Sequence, residues 1–166
     1  MTQGAHSCPV GGSRPLTAGE IALARSVFGS AIDYAPVTIR RHKWFAFQPQ
    51  RVTMAPRGHL HFHPRSHNYC DDFSAAPLQL QGHFIHEMVH VWQVQTFGSW
   101  WLILNRLPWE RYDYSLKPGW ALEQYGIEQQ AEIVRHAFLL RRGIRIAGVA
   151  DKAAYDLLVR FPGATG

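Results

Sequence analysis

The chain has 166 residues, of which 46% are hydrophobic and 17% charged, and its formal net charge at pH 7 is +5. These values exclude a wholly disordered chain and predict a globular domain with a hydrophobic core. No apolar run approaches the ~20 residues that a membrane-spanning helix needs, and the N-terminus lacks the basic start and apolar core of a secretory signal. We therefore expect a cytoplasmic protein without a membrane span. The alternative is export by a secretion route that needs no such signal.

The basic excess is modest, and lysine and arginine do not alternate with aromatic residues as they would in a base-stacking platform. This pattern favours a solvated basic surface and disfavours nucleic-acid binding. The two cysteines, Cys8 and Cys70, are far apart and form no C-x-x-C motif, so neither a disulfide nor a thiolate zinc site is indicated.

Residues 1–16 are rich in Gly, Ser and Pro and are predicted to be a disordered leader to a single domain at 17–166. Thr17 and Glu20 have capping-box spacing and predict a helix that ends at Gly29. From Val37 to His63 the pattern is β-like, with predicted strands in "VTIR", "WFAFQ", "RVTMA" and "HLHFH" and a turn at "APRG".

Helical periodicity then predicts a helix over roughly 78–97, a second over about 121–141 and a short final helix over about 150–159. A helix, a small sheet and further helices indicate the α+β class. We expect a small, mostly antiparallel sheet that packs with the 78–97 helix and the C-terminal helices.

The sequence from His86 to His90 matches H-E-x-x-H, which random placement of this chain's residues would give about 0.02 times. On a helix, His86 and His90 lie ~40° apart and one turn along, so both imidazoles can bind one zinc ion. Glu87 projects to the same side, where it can take a proton from the attacking water. The motif therefore predicts two metal ligands and a general base.

The competing interpretation is an amphipathic helix whose polar face meets water. Such faces are usually rich in lysine and arginine, but neither residue occurs between Gln79 and Gly98. The zinc interpretation is therefore favoured. His83 shares the polar side and is expected to be a neighbour of the site rather than a ligand.

A catalytic zinc needs a third protein ligand and an open position. Gln93 and Thr96 replace the Gly and His of the metzincin extension, so the best candidate is Glu128, in the second long helix. Its like-charged neighbour Glu132 lies one turn later, where its carboxylate can accept the free N–H of a ligand histidine. The alternative is a solvated pair partly neutralised by Arg135. Weaker acidic candidates lie on the opposite face or in a loop: Glu123, Glu110 and Asp113.

"HEMVH" followed by "EQQAE" resembles the gluzincin pattern, in which H-E-x-x-H is joined by E-x-x-A-D, although the final Asp is Glu132 here. The resemblance implies a minimal zincin-like zinc metallopeptidase. The phrases "LTAGEIALARSVFGSAIDY", "FIHEMVHVWQ" and "YGIEQQAEIV" are also similar to small bacterial Rhs- or Vgr-related proteins linked to type VI secretion. This second resemblance implies a secretion-system partner.

Two further groups of residues are candidates for minor roles. His59, His61 and His63 share one face of a predicted strand; a second metal site is conceivable there, but a solvent- or cleft-facing surface is favoured. Four residues could donate to a developing oxyanion: Tyr112, Tyr114, Tyr125 and His136. Tyr125 and His136 are preferred because they share the Glu128 side of their predicted helix.

Together these features predict a Zn²⁺-dependent metallopeptidase that hydrolyses peptide bonds in a polypeptide substrate. Glu87 would accept the proton of the attacking water and pass it to the leaving amine. Two alternatives remain: an inactive zinc-binding accessory module of a bacterial secretion system, and a nucleic-acid-associated protein.

Overall fold

The structure is a computed structural model that describes residues 7–101 and 112–166, and it confirms the predicted α+β class. Its strands are β1 (Ser13–Pro15), β2 (Thr38–Arg40) and β3 (Leu60–His61). Its helices are α1 (Ala18–Phe28), α2 (Leu78–Phe97), α3 (Ile127–Arg141) and α4 (Lys152–Leu158), with short 3-10 helices at Phe73–Ala75 and Leu122–Gln124. None of the described helices is long and apolar enough to cross a membrane.

The predicted capping box at the start of α1 is confirmed. The Thr17 hydroxyl accepts from the Glu20 N–H at 3.0 Å, and the Glu20 carboxylate accepts from the Thr17 N–H at 2.9 Å. The helix ends at Gly29, whose φ of +53° and close approach to the Pro162 carbonyl leave no room for a Cβ atom. Local sequence therefore sets the start of this helix, while its end also depends on a contact with the C-terminal segment.

The sheet is small and mixed, with more antiparallel than parallel residue pairs. Strand β1 pairs antiparallel with β2, and β2 pairs parallel with β3. Because β1 is part of the sheet, the prediction of a disordered leader over residues 1–16 is wrong for 13–15, while 1–6 lie outside the described residues. The physical reason is Arg14, whose guanidinium donates two 2.8 Å hydrogen bonds to the buried Glu20 carboxylate.

The predicted strands "WFAFQ" and "RVTMA" do not form, apart from a bridge between Met54 and His61. The reason is the buried Gln48 side chain, which takes the backbone groups that a strand ladder would use. Its Oε1 accepts from the Trp44 N–H at 2.7 Å, and its Nε2 donates to the carbonyls of Val52 and His61 at 2.8 and 3.0 Å. Alternating aromatics here belong to a turn and not to a strand.

Helix α2 has the bounds expected from its periodicity, whereas α3 begins at Ile127 rather than at 121. The two helices pack closely, since a Cβ atom at Gly82 would lie 3.3 Å from Leu139 Cδ2. The apolar side of α2 packs into the core, and α3 covers the opposite, polar side, so both faces are buried. This packing removes from water the ionisable residues that the sequence places together.

Candidate metal centre

The structure brings the three predicted metal ligands together between α2 and the first turn of α3. The Nε2 atoms of His86 and His90 each lie 3.2 Å from Oε2 of Glu128. All three ligand atoms lie within 4.8 Å of one another, and all three residues are buried. Two imidazole nitrogens and a carboxylate oxygen at this separation are a donor set that suits zinc.

The outer nitrogen of His86 is fixed by Glu132, as the sequence predicts. Nδ1 of His86 lies 2.8 Å from Oε1 of Glu132, and because a carboxylate only accepts, this nitrogen carries the hydrogen. Arg135 also contacts the Glu132 carboxylate, at 3.3 Å. Glu132 is one methylene longer than the Asp of the gluzincin pattern, and its carboxylate still contacts His86.

The outer nitrogen of His90 is fixed by Gln93, which the sequence analysis missed. Gln93 Nε2 donates to the Ile127 carbonyl at 3.1 Å and to Gln130 Oε1 at 2.9 Å. Its Oε1 therefore faces His90 and accepts the Nδ1 hydrogen at 2.9 Å, so Nε2 is the ligand nitrogen. The available signal was the position of Gln93, one turn beyond His90 on the same helix side.

The cluster is electrostatically suited to a cation. Burial by itself lowers the pKa of His86, but hydrogen bonds to Glu128 and Glu132 outweigh it and raise the pKa to about 9. Burial raises the pKa of Glu128, yet the adjacent His90 and His86 hold it well below its usual range. Burial likewise opposes ionisation of Glu132, but the His86 hydrogen bond lowers its pKa to about 2. Negative charge is thus concentrated where the imidazole nitrogens converge.

Glu87 lies beside the cluster, lines the cavity that opens onto it and has one carboxylate oxygen without a partner. Its side chain is buried, and Oε2 has no hydrogen-bond partner. Its Oε1 lies 3.9 Å from Nε2 of His83, which is itself 2.8 Å from the Thr53 hydroxyl. An unpartnered buried carboxylate oxygen is costly unless a further group binds there.

A cavity of about 380 Å³ opens onto this cluster. One wall comes from the segment between β2 and α2, and Tyr112 supplies an aromatic wall whose ring lies 6.2 Å from that of His86. These wall residues carry no sequence motif, so sequence analysis named only Tyr112, as an oxyanion candidate, and Arg135, as a neighbour of the acidic pair. They are Arg51, Val52, Thr53, Asn68, Tyr112 and Arg135.

The two preferred oxyanion candidates do not line this cavity. The Tyr125 hydroxyl accepts from the Lys117 N–H at 2.8 Å, and its side chain lines two other cavities. His136 contacts the Tyr114 hydroxyl through Nδ1 and lies 3.5 Å from Glu132 through Nε2. Helical periodicity does not place Tyr125 beside Glu128, because α3 begins two residues after it, and the His136 ring contacts Glu132 and Tyr114 rather than the cavity. Tyr112 is the candidate that the structure places at the cavity.

The solvent- or cleft-facing histidine strand is also corrected. His61 is 1% exposed, lies between the rings of His42 and Trp44, and has no hydrogen bond at either ring nitrogen. Burial and the charge of Arg40 lower its pKa to about 4. His59 bonds Thr38 instead, at 3.0 Å, and the three strand histidines form no metal cluster in the described part of the chain. Among the weaker ligand candidates, Glu110 lies outside the described residues.

Comparison with known proteins gives two matches, while no protein-family profile matches the chain. The chain is 39% identical over 155 residues to the type VI secretion system spike protein VgrG2b of Pseudomonas aeruginosa. That alignment covers 90% of this chain but spans only 15% of the spike protein. The solved effector domain of VgrG2b superposes with a TM-score of 0.71 at 35% identity, over 93% of this chain and 85% of that domain. The predicted similarity to Vgr-related proteins is confirmed.

Proposed function

Because this chain belongs to the family of the VgrG2b effector domain, we propose that it is an effector module of a type VI secretion system and acts as a zinc metallopeptidase. Support for the peptidase comes from the convergence of His86, His90 and Glu128 beside the unpartnered oxygen of Glu87. Export by that secretion system and a spike-protein partner belong to the same proposal, since the matched protein is a type VI spike.

His86, His90 and Glu128 would hold the zinc ion, each through an atom that the structure already directs to a common point. Glu132 and Gln93 take the two Nδ1 hydrogens, so both Nε2 lone pairs are available once His86 gives up its second proton. When bound, zinc would polarise a substrate carbonyl and lower the pKa of the attacking water. The three-ligand set leaves the further coordination position that this chemistry needs.

Glu87 would act as the general base. Its Oε2 has no partner within the protein, so it is available to accept a proton from the attacking water and to return it to the leaving amine. His83 lies next to the other oxygen and is held by Thr53, which keeps the carboxylate oriented. The burial of Glu87 excludes bulk water from this proton transfer.

The cavity walls suit a polypeptide substrate. Thr53 and Asn68 offer polar groups to a peptide backbone, while Arg51 and Arg135 line the same cavity. Tyr112 places a phenol beside His86, where a hydroxyl could donate to the oxygen that becomes negatively charged during attack.

Metal analysis paired with a Glu87→Gln variant tests the proposal. We expect stoichiometric zinc in the wild type and in the variant, and cleavage of a denatured polypeptide mixture by the wild type only. Glu123→Gln is the matched control, because Glu123 is an exposed glutamate away from the cluster, and it should cleave at the wild-type rate. A wild-type protein without zinc would refute the metal centre.

A Glu128→Ala variant tests the third ligand separately. It should lose zinc affinity by several orders of magnitude, because the cluster then retains only two imidazoles. Full zinc affinity in this variant would overturn the assignment of Glu128.

The second candidate function is an inactive zinc-binding accessory module of the secretion system. The names of the two matched proteins, a spike protein and an effector domain, are compatible with it, and neither name specifies a peptidase. Stoichiometric zinc without cleavage of any tested polypeptide would favour this module over the peptidase.

A further inference from the structure

The positive charge of this chain is concentrated in one segment. Residues 34–70 contain six lysine and arginine residues and not a single aspartate or glutamate. Since the whole chain carries a net charge of +5, the residues outside this segment together carry −1. The six cations are Arg40, Arg41, Lys43, Arg51, Arg57 and Arg65.

These cations are not used to pair with carboxylates. Among the described residues, no salt bridge joins any of the six to an aspartate or glutamate. Arg40 and Arg41 are half-buried and bond Thr38 and the Cys8 carbonyl. The other four are exposed to solvent. A set of solvent-facing cations that form no salt bridges, in a segment without aspartate or glutamate, creates a positive surface potential.

Two phenylalanines project from the same segment. Phe47 is 88% exposed and Phe45 is 44% exposed. They belong to a turn held in shape by the buried Gln48 amide and by Lys43, whose Nζ donates to the Ala46 carbonyl at 2.7 Å. Exposure of these rings therefore comes from a fixed backbone, which presents them at low conformational cost.

Exposed cations lie next to this aromatic turn. Arg57 lies 5.2 Å from the centre of the Trp44 ring, at the base of the turn. The Gln50 amide donates to the Arg65 carbonyl, and the Asn68 amide donates to the Arg51 carbonyl. These two hydrogen bonds join residues 50–51, which follow the turn, to residues 65–68. Arg51 also lines the metal cavity. The turn and its cations thus form one basic–aromatic face that adjoins the cavity mouth.

We propose that this basic–aromatic face (Lys43, Phe45, Phe47, Arg57 and Arg65) docks on the surface of a membrane rich in anionic phospholipid. Paired apolar rings on a fixed turn can insert at the boundary between headgroups and acyl chains, and surrounding cations attract anionic headgroups. Duplex nucleic acid is disfavoured, because its phosphates would contact the cations but its paired and stacked bases would leave the exposed Phe47 ring in water. The inference goes beyond the proposed peptidase and does not depend on it.

Vesicle co-sedimentation of the full chain tests the docking. We expect binding to phosphatidylcholine vesicles that contain a third phosphatidylglycerol, weaker binding as salt is raised, and little binding to pure phosphatidylcholine. Phe45→Ser combined with Phe47→Ser should weaken binding at least about tenfold. Leu157→Ser is the matched control, because Leu157 is 70% exposed on α4, and it should bind as the wild type does.

A charge pair gives an independent measurement. Arg57→Glu with Arg65→Glu should abolish binding, whereas Lys117→Glu with Arg145→Glu makes the same change in net charge elsewhere and should retain most of it. Equal losses of vesicle binding in the two charge variants would overturn the docking face. A wild-type protein that does not bind anionic vesicles would overturn it as well. Tight binding to duplex DNA that survives the double phenylalanine change would show that the face binds a polyanion, and it would overturn the membrane proposal. Thermal unfolding of each variant confirms that it is folded.

Discussion

Gln93 and His90 lie one turn apart on the same helix, and the 2.9 Å contact between Gln93 Oε1 and His90 Nδ1 decides which imidazole nitrogen faces Glu128. The amide cannot exchange the positions of its oxygen and nitrogen without losing a hydrogen bond, because its Nε2 already donates to the Ile127 carbonyl in α3. A neutral, completely buried amide thus determines which nitrogen of His90 is available to a metal ion. The partner of the other histidine is the anionic Glu132, so the two ligand histidines are held by chemically different groups.

Removal of the Gln93 amide should weaken metal binding without changing the ligands. We expect Gln93→Leu to lower zinc affinity by about 10–100-fold, because His90 loses the acceptor that fixes its orientation. Competition with a zinc chelator measures this affinity. Gln79→Leu, at an exposed position in the first turn of α2, is the control and should match the wild type.

The charge and the hydrogen bond of Glu132 can be separated. Glu132→Gln keeps an acceptor for His86 Nδ1 but loses the negative charge, whereas Glu132→Ala loses both. We therefore expect zinc affinity to fall in the order wild type, Gln, Ala, with the Ala variant about 10–100-fold below the wild type. Equal affinities for all three proteins would show that Glu132 does not support the ligand.

Tyr112 and Tyr125 should differ in their effect on peptide cleavage. Tyr112→Phe removes a hydroxyl from the cavity wall and should lower kcat by about 10–100-fold, with zinc content unchanged. Tyr125→Phe should leave kcat near the wild-type value, since its hydroxyl contacts the Lys117 backbone instead. A larger loss of kcat for Tyr125→Phe than for Tyr112→Phe would reverse the assignment.

The buried His61 should make folding sensitive to acid. Its pKa is about 4 when folded and near 6.5 when unfolded, so between these values the unfolded chain binds more protons. The stabilisation is therefore complete above pH 6.5 and is lost as the pH falls toward 4, to a total of up to about 3 kcal/mol. Urea unfolding at several pH values in the presence of a chelator measures this effect. His61→Leu should remove that part of the pH dependence, and an unchanged profile would contradict it.

The ion pair between Arg14 and Glu20 should be essential to the fold. Arg14→Leu leaves the Glu20 carboxylate buried without its cation, and we expect the free energy of unfolding to fall by about 3–5 kcal/mol. Arg145→Leu removes an exposed arginine and should cost less than about 0.5 kcal/mol. Chemical denaturation of the two variants makes the comparison, and equal stabilities would mean that β1 contributes little.

The sequence predicts best the features that are local to one element. The spacing of His86 and His90, and that of Glu128 and Glu132, each lies within a single helix, where periodicity determines which side chains share a face. The capping box at Thr17 is local in the same sense. Each of these features can be predicted from the sequence because its geometry depends on fewer than six consecutive residues.

The features that sequence analysis missed depend on contacts between distant residues. The Gln93 amide is oriented by the Ile127 carbonyl, which lies 34 residues later in the chain. Arg14 of strand β1 pairs with the buried Glu20 of a neighbouring helix. The stretch around Gln48 alternates like a strand, yet a buried amide binds its backbone groups first. Tyr125 shares the helical phase of Glu128 but precedes the helix, so periodicity did not apply to it.

The ligand set crosses from one helix to another, because Glu128 lies 38 residues after His90. An ion held there would act as a cross-link between α2 and α3 that the unfolded chain cannot make. Its binding free energy would therefore add to the stability of the whole domain. A chelator would then lower the melting temperature, and unfolding would release the ion.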